Sequence, residues 1–146
     1  MKFAAHEFVK AILAAPSKSR TSSTAEVLPA VGADRIGFNE MLIVVNLGTI
    51  AGAGTFTVTM AESASASDAT PTAITGAVFP ASSTYLTGNA NNVFVGRLKL
   101  DETRLRYIYA KLVCDNSNAV LASVTFLMLA AKILPVTQTN TVVFSV

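Results

Sequence analysis

The sequence predicts an all-β domain, and three observations carry that prediction. From Thr24 onward, β-branched residues recur in segments that alternate with period two. Turn residues punctuate these segments at short intervals, as at Gly48, Gly52 and Gly54 or at Asp115, Asn116, Ser117 and Asn118. No second helical stripe of useful length appears after residue 24.

Two regions are expected, an N-terminal helix or arm with a linker over 1–24 and a sandwich domain over 25–146. Within 3–15, Phe8, Val9, Ile12 and Leu13 stand at helical spacing with alanines between them, which predicts a short amphipathic helix ended by Pro16. Residues 16–24 (PSKSRTSST) are small, polar and basic and read as a linker or extended arm. Strands are expected over 25–31, 40–47, 54–62, 73–79, 92–100, 104–115, 119–132 and 136–146. About eight strands suit a two-sheet sandwich or a jelly roll.

Individual segments carry further information. In residues 55–62, Phe56, Val58 and Met60 share one face and Thr55, Thr57 and Thr59 the other, the pattern of a half-buried antiparallel strand. Met41 to Val45 (MLIVV) is apolar on both faces, which predicts a central strand with something packed above it or a subunit contact. The glycines at 48–54 and the run Asp115 to Asn118 are expected to close hairpins. Residues 61–72 and 81–92, rich in Ser, Ala, Asn and Gly, read as surface loops. The last ten residues, TQTNTVVFSV, are strand-like and uncharged, and are expected to pair within a sheet of their own domain or by strand addition to a neighbour.

Composition narrows the function. Only 14% of the 146 residues are charged and 51% are hydrophobic, against about 25% charged in an ordinary soluble domain. Part of the apolar surface is therefore expected to be covered by partners. The net charge of +2, from 11 basic and 9 acidic residues, is too balanced for a protein that wraps nucleic acid. One cysteine, Cys114, excludes an intrachain disulfide and a multi-cysteine metal site and suits a reducing cytosol. The longest apolar run, 120–131, is interrupted by Ser123 and Thr125 and is shorter than the roughly 20 residues of a membrane-spanning helix. His6, Glu7 and Lys10 break any apolar core of a signal peptide.

The residues for catalysis are missing from the pattern. A Ser-His-Asp or Cys-His arrangement needs a histidine base, and the single histidine, His6, lies in the N-terminal segment. One His and one Cys cannot supply the three or four ligands of a zinc site. Cys114, beside Val113, reads as a small buried hydrophobe with Lys111 on the opposite strand face. The glycines at 48–54 have no following Lys-Ser/Thr and precede a strand, unlike a phosphate loop. The acids Glu62, Asp68, Asp101, Glu102 and Asp115 are scattered. We therefore expect no enzyme, metal, cofactor or small-molecule substrate. One charge cluster stands out: if the Asp101-Glu102 turn closes a hairpin, Arg97, Lys99, Arg104 and Arg106 form a local basic patch, either a solvated hairpin end or a contact for an acidic partner.

The run FNEMLIVVNLGTIAGAGTFTVTM, then ITGAVFP, then NNVFVGRLKL followed by RLRYIYAKL, resembles the small decoration or cement proteins of tailed bacteriophages. The resemblance covers roughly residues 37–146. It implies a jelly-roll-like β-sandwich, a dimer or trimer, that sits on the outer surface of an icosahedral head near local symmetry axes. There it clamps neighbouring major capsid proteins together. By the same resemblance the protein is made in the host cytoplasm and ends in the virion, and residues 1–24 reach across capsid subunits or a partner protomer. The candidate contact residues are Phe8, Ile12 and Arg20 in the arm and Arg97, Lys99, Arg104 and Arg106 in the basic cluster.

Three other readings compete. A carbohydrate-binding sandwich of an adhesin or tail fibre wants exposed aromatics, for which the chain offers no Trp and the tyrosines Tyr85, Tyr107 and Tyr109, with Tyr85 in an expected loop. An enzyme would need carboxylates gathered only by the fold. A tail-tube or pilus-like subunit would form filaments alone.

Overall fold

The computed structural model describes residues 9–79, 89–114 and 118–129, which form eight strands. These are β1 (Lys10–Arg20), β2 (Glu26–Asp34), β3 (Glu40–Ile50), β4 (Phe56–Ser63), β5 (Thr72–Phe79), β6 (Val93–Lys99), β7 (Tyr107–Cys114) and β8 (Val120–Leu129). They build two four-stranded antiparallel sheets, ordered β1-β8-β3-β6 and β2-β7-β4-β5.

The pairing has a simple logic. Strand β1 pairs with β8, β2 with β7, β3 with β6 and β4 with β5. The chain is thus one long antiparallel ribbon with its apex at the β4–β5 connection. Rolling that ribbon up brings β3 against β8 and β4 against β7, and these two ladders close the sheets. The fold is a jelly-roll β-sandwich.

Period-two alternation decides what lies between the sheets. Met41, Ile43, Val45 and Leu47 of β3 and Val124, Phe126 and Met128 of β8 face inward from the first sheet. Phe56, Val58 and Met60 of β4 and Ile108, Ala110 and Leu112 of β7 meet them from the second. Phe56 does face the core, with the threonines outward. Removing one such aromatic, as in Phe126→Ala, costs about 3–5 kcal/mol in a core that cannot collapse around the void.

The expected strands between 25 and 132 correspond to β2 through β8. The expected strand at 136–146 lies outside the described residues. The N-terminal helix is corrected: no α-helix is present among the described residues, and Lys10 to Ala15, the described end of that stretch, belong to β1. Its alanines and isolated apolar residues fit a ladder as well as a helix. Ile12 stands opposite Phe126 and Leu13 opposite Thr125, and tertiary pairing outweighs a weak helical preference. Pro16 is tolerated because β1 is an edge strand and register shifts flank it at Leu13/Ala15 and Ala15/Lys18.

The hairpins expected at 48–54 and around Asp101-Glu102 are also corrected: each of these two connections crosses from one sheet to the other, and among consecutive described strands only β4 and β5 pair. Of the hairpin expected at 115–118, residues 115–117 lie outside the described residues, and β7 and β8 on either side of it belong to different sheets. Gly52, at φ 52°, confirms a tight turn. Turn chemistry bends the chain but does not decide which sheet receives it.

Candidate interaction surface

Among the described residues, the exposed large hydrophobic side chains Leu13, Val93, Val95 and Leu121 all lie on the outward face of the β1-β8-β3-β6 sheet. Ladder register aligns its side chains in rows across all four strands. One row runs Leu13, Thr125, Val44 and Val95; the next runs Ala11, Leu127, Leu42 and Arg97. Beside them Ser123, Asn46 and Val93 share a row, with Asn46 Nδ2 donating to Ser123 Oγ at 3.3 Å. Leu13 is 56% exposed, Val93 and Val95 61% each, and Leu121 40%. A face of this composition would ordinarily carry alternating polar residues.

The other sheet shows the ordinary pattern. Its outward residues include Thr57 beside Val113 and Thr59 beside Lys111. Ala61 and Tyr109 also point outward there, yet both are buried. The β4–β5 connection folds over them: Tyr109 Oη donates to the Ser65 carbonyl and the Gly32 amide to the Ala66 carbonyl, both at 2.8 Å. Gly32 permits this approach, since a β-carbon there would stand 2.5 Å from Tyr109 Cζ. Part of the expected surface loop at 61–72 is thus a lid on this sheet.

The sequence signal for the apolar face was MLIVV. Strand β3 is central, Met41, Ile43 and Val45 fill the core, and Leu42 and Val44 lie half-buried on the outer face. The exposed contributions of Leu13, Val93, Val95 and Leu121 have no comparable signal in the sequence, because strand adjacency is not written in any one segment.

The structure divides the expected basic cluster between the sheets and gives every member a carboxylate. Arg97 makes a two-pronged contact with Glu40 on the neighbouring strand, at 2.6 and 2.7 Å. Lys99 stands 3.6 Å from Asp101. Arg104, in the crossover, reaches Glu62 of β4 at 3.3 Å, and the same carboxylate accepts from the Leu105 amide at 2.9 Å. Arg106 pairs with Asp34 of β2 at 2.8 Å, its guanidinium 5.1 Å from the Tyr107 ring centre. Hydrogen bonds and charge from Glu40 and Asp34 raise the Arg97 and Arg106 guanidinium pKa values. Burial alone would raise the Asp34 carboxyl, but hydrogen bonds from Arg106 and the Ile36 amide outweigh it and hold it low. The partners Glu40, Glu62 and Asp34 lie 57, 42 and 72 residues away in sequence, beyond any local pattern.

Of the other candidates, Phe8 lies outside the described residues. Ile12 is partly buried and packs against the core. Arg20 is 5% exposed, its guanidinium donating to Glu26 and to backbone carbonyls.

No family model matches the chain, and no curated protein matches it. Several solved structures do. One, described as "Bacillus endospore appendages form a novel family of disulfide-linked pili", shares 11% identity over 90% of this chain and 97% of that one, with a TM-score of 0.45. The structure of infectious bursal disease virus Gx strain shares 11% identity over 87% of this chain, with a TM-score of 0.49; this chain spans 35% of that one's length. An expanded equine rhinitis A virus particle shares 12% identity over 90% of this chain and 78% of that one, with a TM-score of 0.41. At such identities the likeness concerns fold alone.

A cleft of about 380 Å³ beside the start of β2 is lined by Lys18, Arg20, Glu26 and Cys114 among others. A cleft of about 390 Å³ between the edges of β5 and β6 is walled by Ile43, Met60, Phe79, Phe94 and Leu98, and Arg97 is its one ionisable lining residue. No group of three or more His, Cys, Asp and Glu able to hold a metal occurs among the described residues. Cys114 is buried, Tyr109 is buried, and Tyr85 and His6 lie outside the described residues.

Proposed function

We propose that the chain is a structural virion subunit, a decoration protein that binds the outer surface of a tailed-phage head and cements neighbouring major capsid proteins. The observation that carries this reading is the apolar outer face of a four-stranded sheet, with Leu13, Val93, Val95 and Leu121 exposed on it and its charged residues, Glu40, Arg97 and Lys99, gathered at one end. A cement protein needs no chemistry. It binds the assembled lattice more strongly than separated subunits, so mass action stabilises the shell. Many copies acting together make modest single contacts sufficient. Arg97 and Lys99, at the rim of the face, would meet an acidic capsid surface that competes with Glu40 and Asp101 for them. The N-terminal segment with Phe8 would extend the contact.

The test is to mix the purified protein with heads lacking it and follow co-sedimentation and the heads' thermal survival. Saturable, stoichiometric pelleting with greater survival is the expected result. Absence of pelleting at every concentration refutes the decoration reading.

A further inference from the structure

We infer that the outer edge of β6, with the cleft beside it, is a docking site for this chain's own residues 136–146, which add to it as an antiparallel strand. The inference concerns the sandwich itself and stands or falls apart from head binding.

Register makes β6 the edge that can receive a strand. It pairs with β3 from Val93 to Lys99 without a shift. The Leu47 amide donates to the Asn92 carbonyl and the Leu100 amide to the Asn39 carbonyl, so the even-numbered residues of β6 bond toward β3. Alternation in an antiparallel ladder then turns the amides and carbonyls of Val93, Val95, Arg97 and Lys99 toward the outer edge. Among the described residues no strand lies beyond β6. The other outer edges are irregular: β1 contains Pro16 and β2 contains Pro29, each with register shifts, and β5 shifts against β4 around Gly76, at φ 78°. Prolines and bulges of this kind block strand addition.

Direction and reach select the occupant. Strands β6 and β8 run parallel to each other, since both are antiparallel to β3. A chain turning back after Leu129 therefore runs antiparallel to β6 but parallel to β1, and only antiparallel partners are joined by short connections. Leu129 and Lys99 stand at the same end of the sheet, both opposite Glu40. A position beyond β6 lies three strand spacings from β8, about 14 Å. Residues 130–135 cover up to about 20 Å when extended. The residues after them carry no charge and alternate, with Val142, Phe144 and Val146 on one face and Thr139, Thr141, Val143 and Ser145 on the other.

The cleft supplies the apolar ground for the first of those faces. Ile43, Met60, Phe79, Phe94 and Leu98 wall about 390 Å³ between the edges of β5 and β6. Phe94 and Leu98 are the inward residues of β6. A neighbouring strand that sets Val142, Phe144 and Val146 on the same side of the sheet continues the core across the cleft.

Amide hydrogen exchange and proton–proton contacts, measured by NMR on the full chain, test this. The amides of Val93, Val95 and Arg97 are expected to exchange about a hundredfold or more slower than in the denatured chain. Phe144→Asp should speed them about tenfold or more, while Thr141→Asp, on the outward face, should leave them unchanged. Protons of residues 141–146 should contact those of Val93 to Lys99. Rapid exchange at Val95 in the native chain overturns the inference, as does protection that a folded Phe144→Asp variant keeps. Should that variant lose its melting transition, the proton contacts in the native chain decide, and their absence overturns it. Protection that fades on dilution assigns the strand to another copy and overturns it as well.

Discussion

Arg20 Nε donates to Glu26 Oε2 at 2.7 Å, and this contact ties the last residue of β1 in one sheet to the first residue of β2 in the other. The same guanidinium donates to the carbonyls of Pro16 at 2.9 Å, Lys18 at 3.2 Å and Ala122. Its side chain is 3% exposed and that of Glu26 29%. One planar cation therefore satisfies backbone oxygens of β1 and β8 while bridging the sandwich.

Arg20→Met should destabilise the domain by about 2–4 kcal/mol, because the carbonyls and the Glu26 carboxylate lose their buried partner together. Lys18, whose side chain is 53% exposed, also contacts Glu26, and Lys18→Met should change stability far less. Paired chemical denaturation curves check the difference. Equal effects from both variants would contradict a clamp centred on Arg20.

Acid should weaken the fold through the same site. Burial pushes the Glu26 carboxyl up, but hydrogen bonds from Lys18 and Arg20 outweigh it, and its pKa lies below the ordinary value. A depressed folded value stabilises the protein above the unfolded glutamate value of about 4.3 and is lost as pH falls through the lower folded value. Asp34, held low by Arg106 and the Ile36 amide against its own burial, adds in the same direction. Melting temperature should be level from neutral pH to about pH 5 and fall below about pH 4. Glu26→Gln should shallow that fall, measured by thermal melts across the acid range.

Gly96 and Phe79 close the sandwich edge where β6 of one sheet passes β5 of the other. A β-carbon at Gly96 would stand 2.0 Å from Phe79 Cζ and 2.6 Å from Cε1. Gly96→Ala should therefore cost about 1–3 kcal/mol by overpacking. Phe79→Ala in the same chain removes the obstacle, so the double variant should be more stable than the two single losses added together. Additive losses in a double-mutant cycle would show that the ring and the glycine are not in contact.

Tyr109 Oη holds the β4–β5 connection through the Ser65 carbonyl at 2.8 Å. Tyr109→Phe should cost about 1 kcal/mol and expose residues 64–71 to protease more than the sandwich strands. Cys114, 4% exposed, should react with thiol reagents slowly in the native protein and promptly in denaturant. Limited proteolysis and thiol titration read the two outcomes separately.

Local sequence is enough to place β2 through β8, to set Phe56, Val58 and Met60 on one strand face, and to mark Met41 to Val45 as apolar on both faces. These properties are local: alternation, β-branching and turn residues act within a few positions of one another. Tertiary structure decided the rest. Ile12 and Leu13 fit a helix by spacing, and the ladder to Phe126 and Thr125, more than a hundred residues onward, makes them strand. The glycines at 48–54 turn the chain, but the β3·β8 and β4·β7 ladders send it across to the other sheet. Arg97 reads as part of a basic patch until β3 lays Glu40 beside it. Each of these outcomes depends on which distant strand becomes a neighbour, and that choice is made by rolling the whole ribbon around one core.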